Sequence, residues 1–119
     1  TVGPKVCWLW AKQVKQGQHF TVVFDQDVDL KAVHVDIGHP MHGRDVLKKG
    51  ALEAAASSAS PGGALKTSVC GGFHSLRSIT AQKVVTWEEQ PQKVRCLRIA
   101  VEANQDEWFI LQRIAVKAD

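Results

Sequence analysis

Nowhere does the sequence hold a run of about 18 apolar residues, and nothing in it resembles a signal peptide, so no transmembrane helix is expected. Cys7, Cys70 and Cys96 contain no C-x-x-C pair, which removes the usual zinc spacing. Three cysteines cannot form a full disulfide framework. The residues favour three partly buried reduced thiols acting as small hydrophobes, and one disulfide plus a free thiol is the other reading. Fifteen Lys and Arg residues are spread along the chain among twelve acids instead of gathering into a patch, so a nucleic-acid partner is not expected. There is no internal repeat, no strong amphipathic helix and no G-x-S-x-G nucleophile elbow. Glu88 and Glu89 are adjacent, point to opposite faces of a strand and cannot flank one glycosidic bond. No catalytic residue is therefore expected.

What remains is an ordinary globular composition of 119 residues, 45% apolar and 23% charged, enough for one domain over 1–119. It begins abruptly at "TVGPKVCWLW" and reads as a piece excised from a longer protein. Strand signals dominate. His19–Asp25 ("HFTVVFD") is β-branched and aromatic, and Leu30–Gly38 ("LKAVHVDIG") alternates, with Leu30, Ala32 or Val33, Val35 and Ile37 as inward candidates. The polar "DQDVD" between them reads as a turn. Gly50–Ser57 ("GALEAAAS") is taken as a strand against the helical leaning of its alanines, and "SSASPGGALKTS" after it as a loop. "AQKVVTWEEQ" and "KVRCLRIAVEA" are read as two strands separated at Pro91, and "WFILQRIAVKA" as a last one. Val94, Cys96 or Leu97, Ile99 and Val101 cannot share one face, which calls for a bulge or two-sided burial. Short strands with frequent turns point to an all-β sandwich or barrel.

The order of segments resembles discoidin-like domains, also called coagulation-factor type C domains. "GQHFTVVFDQDVDLKAVHVDIG", then "GRDVLKKGALEAAAS", then "VRCLRIAVEANQDEWFILQRIAV" follow that family's succession of motifs from about Trp8 to Val116. The branch most similar is the family 32 carbohydrate-binding modules attached to family 84 glycoside hydrolases. The resemblance implies a jelly-roll β-sandwich of the galactose-binding-domain kind, with a shallow sugar site in loops at one end and a tryptophan near Trp8 or Trp10 in the core. It also implies a structural calcium held by a "DGD" turn and a late glutamate. No "DGD" occurs here, and Gln112 and Arg113 stand at the late position, so no cofactor and no metal are expected.

Sugars are bound by stacking on an aromatic ring and by planar polar groups with fixed donors and acceptors. Asn104 to Trp108 ("NQDEW") offers both, with Asn104 as hydrogen-bonding group and Trp108 either at the rim or packed inward. In "GHPMHGRD", His39, His42 and Arg44 are ligand-binding candidates. Two histidines three apart beside Pro40 and Gly43 fix no metal geometry, and a solvated loop is the bland alternative. In "CGGFHSLRS", Phe73 and His74 follow two glycines and are either a sugar platform at a loop tip or the start of a buried strand.

With the resemblance, these residues imply a non-catalytic, monomeric module, and the resemblance alone implies that it binds a terminal galactose, N-acetylgalactosamine or N-acetylglucosamine. It would target a parent glycoside hydrolase linked to it in cis, without membrane insertion, at a secreted or cell-surface location. A single shallow site implies weak affinity, on the order of 0.1 to 1 mM, strengthened by multivalency. A protein-interaction domain on the same fold is the alternative.

Overall fold

A computed structural model describes residues 5–38, 45–58 and 69–119, with side chains from Ala11 onward. Trp8, Trp10 and Cys7 are described by their backbone alone. Six strands form in chain order: β1 (Lys5–Ala11), β2 (His19–Ile37), β3 (Gly50–Ala55), β4 (His74–Ile79), β5 (Val84–Val101) and β6 (Phe109–Ala118). All pairings are antiparallel, in the order β1-β6-β2-β5-β3-β4. Among the described residues there is no helix. The protein is an all-β sandwich, as the strand periodicity predicts.

The two layers come from one sheet that folds over on itself. β2 and β5 have 19 and 18 residues, well beyond the usual five or six, and both cross from one layer to the other. His19–Val23 pairs with residues 96–100 of β5, which pair in turn with β3; farther along, Ala32–Asp36 pairs with Val84–Glu88 on one side and with β6 on the other. One layer is thus β4, β3, the end of β5 and the start of β2. The other is the start of β5, the end of β2, β6 and β1.

Two irregularities make the fold-over possible. Between Val23 and Val28 four residues of β2 face the single residue Arg95 of β5. The carbonyls this leaves outside the ladder are taken by that arginine: Nε donates to Phe24 O at 2.7 Å and Nη2 to Asp25 O at 3.3 Å. The polar "DQDVD" is therefore a wide bulge inside one strand, not a turn between two. On β5, residues 89–91 bulge between the Leu30–Gln92 and Ala32–Glu88 pairs. Pro91 falls there, where its missing N–H interrupts no ladder bond, so the two expected strands are a single one.

One core lies between the layers. Val33, Val35 and Ile37 of β2 alternate into it with Ile114 and Val116 of β6, against Leu52, Leu76, Leu97, Ile99 and Val101 of the other layer. Ala32 points outward. The slip at Lys31 lets Leu30 and Val33, three apart, both be buried at 0% and 2% exposure. In β5, Val94, Leu97, Ile99 and Val101 face the core while Cys96, also fully buried, lies outside that cluster, which is the two-sided burial its pattern requires.

Cys96 is joined to Cys70. This corrects the reading of three reduced thiols. The pairing anchors residues 69–73 over the outer face of β5 and β3, where the Arg98 guanidinium lies 3.9 Å from the Phe73 ring centre and Arg98 Nε donates to Glu53 Oε1 at 2.6 Å.

Candidate functional site

Gly50 pairs with Ile79 and Val101, and Asp36 with Val84 and Arg113, so the described loop residues 12–18, 38, 45–49, 80–83 and 102–108 lie at the same end of the sandwich, away from the fold. Main-chain bonds knit them together: Gly17 N to Val101 O, Gln105 N to Val14 O, Glu102 N to Lys49 O, Ala81 N to Leu47 O and Ile37 N to Lys83 O, all at 2.8–3.0 Å.

Gln105 organises this end. It is 7% exposed and is the one polar residue buried among the described residues. Its Oε1 accepts from Lys48 N at 2.9 Å, and its Nε2 donates to Val46 O at 3.0 Å and Glu107 O at 3.3 Å. A side chain that satisfies main-chain groups of two loops fixes both of them. Around it a shallow concavity of about 370 Å³ is lined by Lys48, Asn104, Gln105, Asp106 and Glu107.

The exposed groups there are complementary in type. Asn104 Oδ1 accepts from Gln16 N at 2.8 Å, which holds the amide plane and leaves the Nδ2 donors without a partner among the described residues. Lys48 Nζ donates to Glu107 Oε2 at 2.5 Å. Asp106 is exposed. Trp108, at the end of the loop, is 40% exposed and does not line the concavity.

The Lys48 ammonium, by its hydrogen bond, holds the Glu107 carboxyl below its ordinary value, with help from main-chain amides. A lowered acid contributes stability that is fully present above the ordinary carboxylate range and is lost as pH falls through the lowered value. The ion pair is accordingly expected to stay intact through neutral and mildly acidic pH and to open only below the ordinary carboxylate range. An NMR titration of the Glu107 carboxyl carbon checks this; Lys48→Met should move the midpoint up, and an unchanged midpoint would mean that the pair does not hold in solution.

The remaining candidates fall in different places. His39, His42 and Arg44 lie outside the described residues. The flanks of that segment are fixed: Gly38 N donates to Ile110 O at 2.7 Å and Ile110 N to Asp45 O at 3.1 Å, with Gly38 at φ 92°, a value a side chain disfavours. Phe73 and His74 are at the opposite end, since His74 pairs with Ala54 while Ile79 pairs with Gly50. They cannot share one sugar with Asn104 and Trp108. Phe73 is half-buried beneath Arg98, so the free aromatic platform expected at a loop tip is not what the structure holds. His74 is exposed, its Nε2 2.6 Å from Gln92 Oε1. Lys48 and Gln16 were not legible as site residues, because nothing local ties positions 57 or 88 residues apart. Among the described residues no three His, Cys, Asp or Glu side chains gather as metal ligands.

No family model matches the chain. It is similar to an alpha-1,3-mannosyl-glycoprotein 4-beta-N-acetylglucosaminyltransferase C from Mus musculus (22% identical) and to one from Macaca fascicularis (23%). It is also similar to an alpha-1,6-mannosyl-glycoprotein 4-beta-N-acetylglucosaminyltransferase from Gallus gallus (27%). Each match takes in 109 residues, 92% of this chain, and the chain spans 23% of the length of these relatives.

Proposed function

We propose that the domain is a non-catalytic carbohydrate-binding module, with its site at the loop-bearing end, that holds a glycan-processing enzyme near its substrate. The observation that carries the reading is the concavity around Gln105. An oriented amide donor on Asn104, acceptors on Asp106 and an ammonium–carboxylate pair line it, and an exposed indole, Trp108, follows in the same loop. Such a mixture suits the hydroxyls and apolar face of one pyranose ring. A partner protein would instead be met by a continuous apolar patch, whereas among the described residues the other exposed large hydrophobes, Val23, Val69 and Val84, are scattered over both layers and a loop.

The relatives bear on the parent enzyme and the sugar. They are named as N-acetylglucosaminyltransferases, so the parent proposed here is a glycosyltransferase instead of the glycoside hydrolase implied by the discoidin resemblance, and the sugar tested first is terminal N-acetylglucosamine. The Cys70–Cys96 bond supports an oxidising location, the secretory pathway or the cell exterior.

A glycan-array screen of the domain, followed by calorimetric titration of the best hit, tests the reading. Asn104→Ala removes an oriented donor at an exposed position and is expected to weaken binding by about five- to tenfold, equivalent to roughly 1 kcal/mol. A folded sample that binds no glycan would sink the reading.

A further inference from the structure

β4 pairs only with β3, and Val84–Glu88 only with β2, so these two strand edges close one side of the sandwich without forming a ladder to each other. Arg77 bridges them. Its Nε donates to Thr86 O at 3.1 Å and its Nη1 lies 3.4 Å from Glu89 Oε2. Beyond Arg77, toward the folded end, a groove of about 290 Å³ is lined by His74, Ser75, Leu76, Trp87, Glu89, Gln90 and Gln92. Leu76 and Trp87 are buried and make an apolar floor. The rim is imidazole, hydroxyl and amide.

We propose that this seam groove is a second saccharide-binding site, taking one neutral sugar residue; it shares only its ligand class with the loop-end site. The volume lies at the small end of ligand sites, which run from about 300 to 1,000 Å³, and suits a single ring better than an oligosaccharide. The electrostatics exclude an ion. The one carboxylate, Glu89, would repel an anion, and Arg77, which pairs with it, would repel a cation. An added peptide strand is disfavoured because Arg77 already occupies the Thr86 carbonyl and Pro91 offers no N–H. The hydrogen-bonding groups instead suit hydroxyls. The Ser75 hydroxyl and the Gln90 amide have no partner among the described residues, and Gln92 uses only its Oε1, toward His74. The contact between the His74 imidazole and the Gln92 carboxamide orients both groups without burying either.

The two sites sit at opposite ends, so each would engage a different glycan terminus, and binding to a dense glycan surface would be bivalent. The test is an NMR titration of the isotope-labelled 119-residue chain with N-acetylglucosamine and with galactose, reading main-chain and Gln side-chain amides. One or both sugars should shift resonances of residues 74–76 and 89–92 as well as those of 104–108. His74→Ala with Gln90→Ala, both exposed and expected to leave the melting temperature unchanged, should erase the first set, keep the second, and weaken retention on an immobilised glycan surface on the order of tenfold. Shifts confined to 104–108 would overturn the seam site and leave the loop-end site standing. Shifts confined to the seam would do the reverse. Equal shifts at both with glycerol would overturn both as saccharide sites.

Discussion

Replacing Gln105 with alanine is expected to cost the domain about 3 kcal/mol, because two main-chain groups under the loops lose their partners and a third bond disappears, each worth roughly 1 kcal/mol. With an unfolding entropy near 2.1 cal/mol/K per residue over 119 residues, that is a drop of about 12 °C in melting temperature. Glycan binding should fall further than stability. Gln105 touches Val46, Lys48 and Glu107, so its loss frees Lys48 from its fixed place beside Glu107 and lets the concavity spread. The more discriminating variant is Gln105→Glu. It keeps the acceptor for Lys48 N but sets a carboxylate against the carbonyls of Val46 and Glu107, where only a protonated acid can donate. Its carboxyl should titrate above the ordinary range, and stability should recover as pH falls through that raised value. Thermal melts of both variants at pH 7.5 and pH 5 are the check, and a loss under about 1 kcal/mol for Gln105→Ala would show that the loops are held by other means.

The second large effect concerns Cys70 and Cys96. Their 26-residue separation gives a loop-closure contribution of about 3.5 kcal/mol, or about 14 °C in melting temperature by the same conversion. The double variant Cys70→Ala, Cys96→Ala should melt lower by that amount and become insensitive to reductant, while the parent chain loses the same amount on reduction. The effect should also be local. Phe73 is brought beneath Arg98 by the cross-link three residues before it, so the Arg98–Glu53 bond on the outer face should loosen, while residues 104–108 at the far end should keep their chemical shifts. A parent chain whose melting temperature ignores reductant would mean that the bond does not form.

The parts of this protein written locally were legible. Val33, Val35 and Ile37 alternate because one face of β2 is buried, and "GALEAAAS" is a strand because its neighbours bury Leu52 and Ala54 whatever alanine prefers in isolation. Asn104 and Trp108 stood out because a turn has no need of an indole, and both are exposed in the loop before β6. Features that depend on distant partners were not legible. "DQDVD" has the composition of a turn, and what makes it a bulge is Arg95, 71 residues from Phe24, supplying donors to its carbonyls. Gln105 sits in a polar run and reads as one more loop residue, although it is buried and ties two loops together. Phe73 was recognisable as an aromatic at a loop tip, but the guanidinium covering it comes from another strand. Three cysteines leave the choice of pair open until the fold brings two together.

The place of β6 between β1 and β2 has a consequence for how the protein is made. β6, the last of the six strands in chain order, is not an edge piece added to a finished sheet; it lies inside the sheet and pairs with β1, the first of the six. On the ribosome, β2 through β5 can associate, but the outer side of Ala32–Ile37 stays open and β1 has no sheet partner until Phe109–Ala118 emerges. Val33, Val35 and Ile37 then wait without Ile114 and Val116 to cover them. Completion of the sheet therefore waits for β6 and proceeds through non-local pairing, on a timescale of roughly milliseconds to seconds.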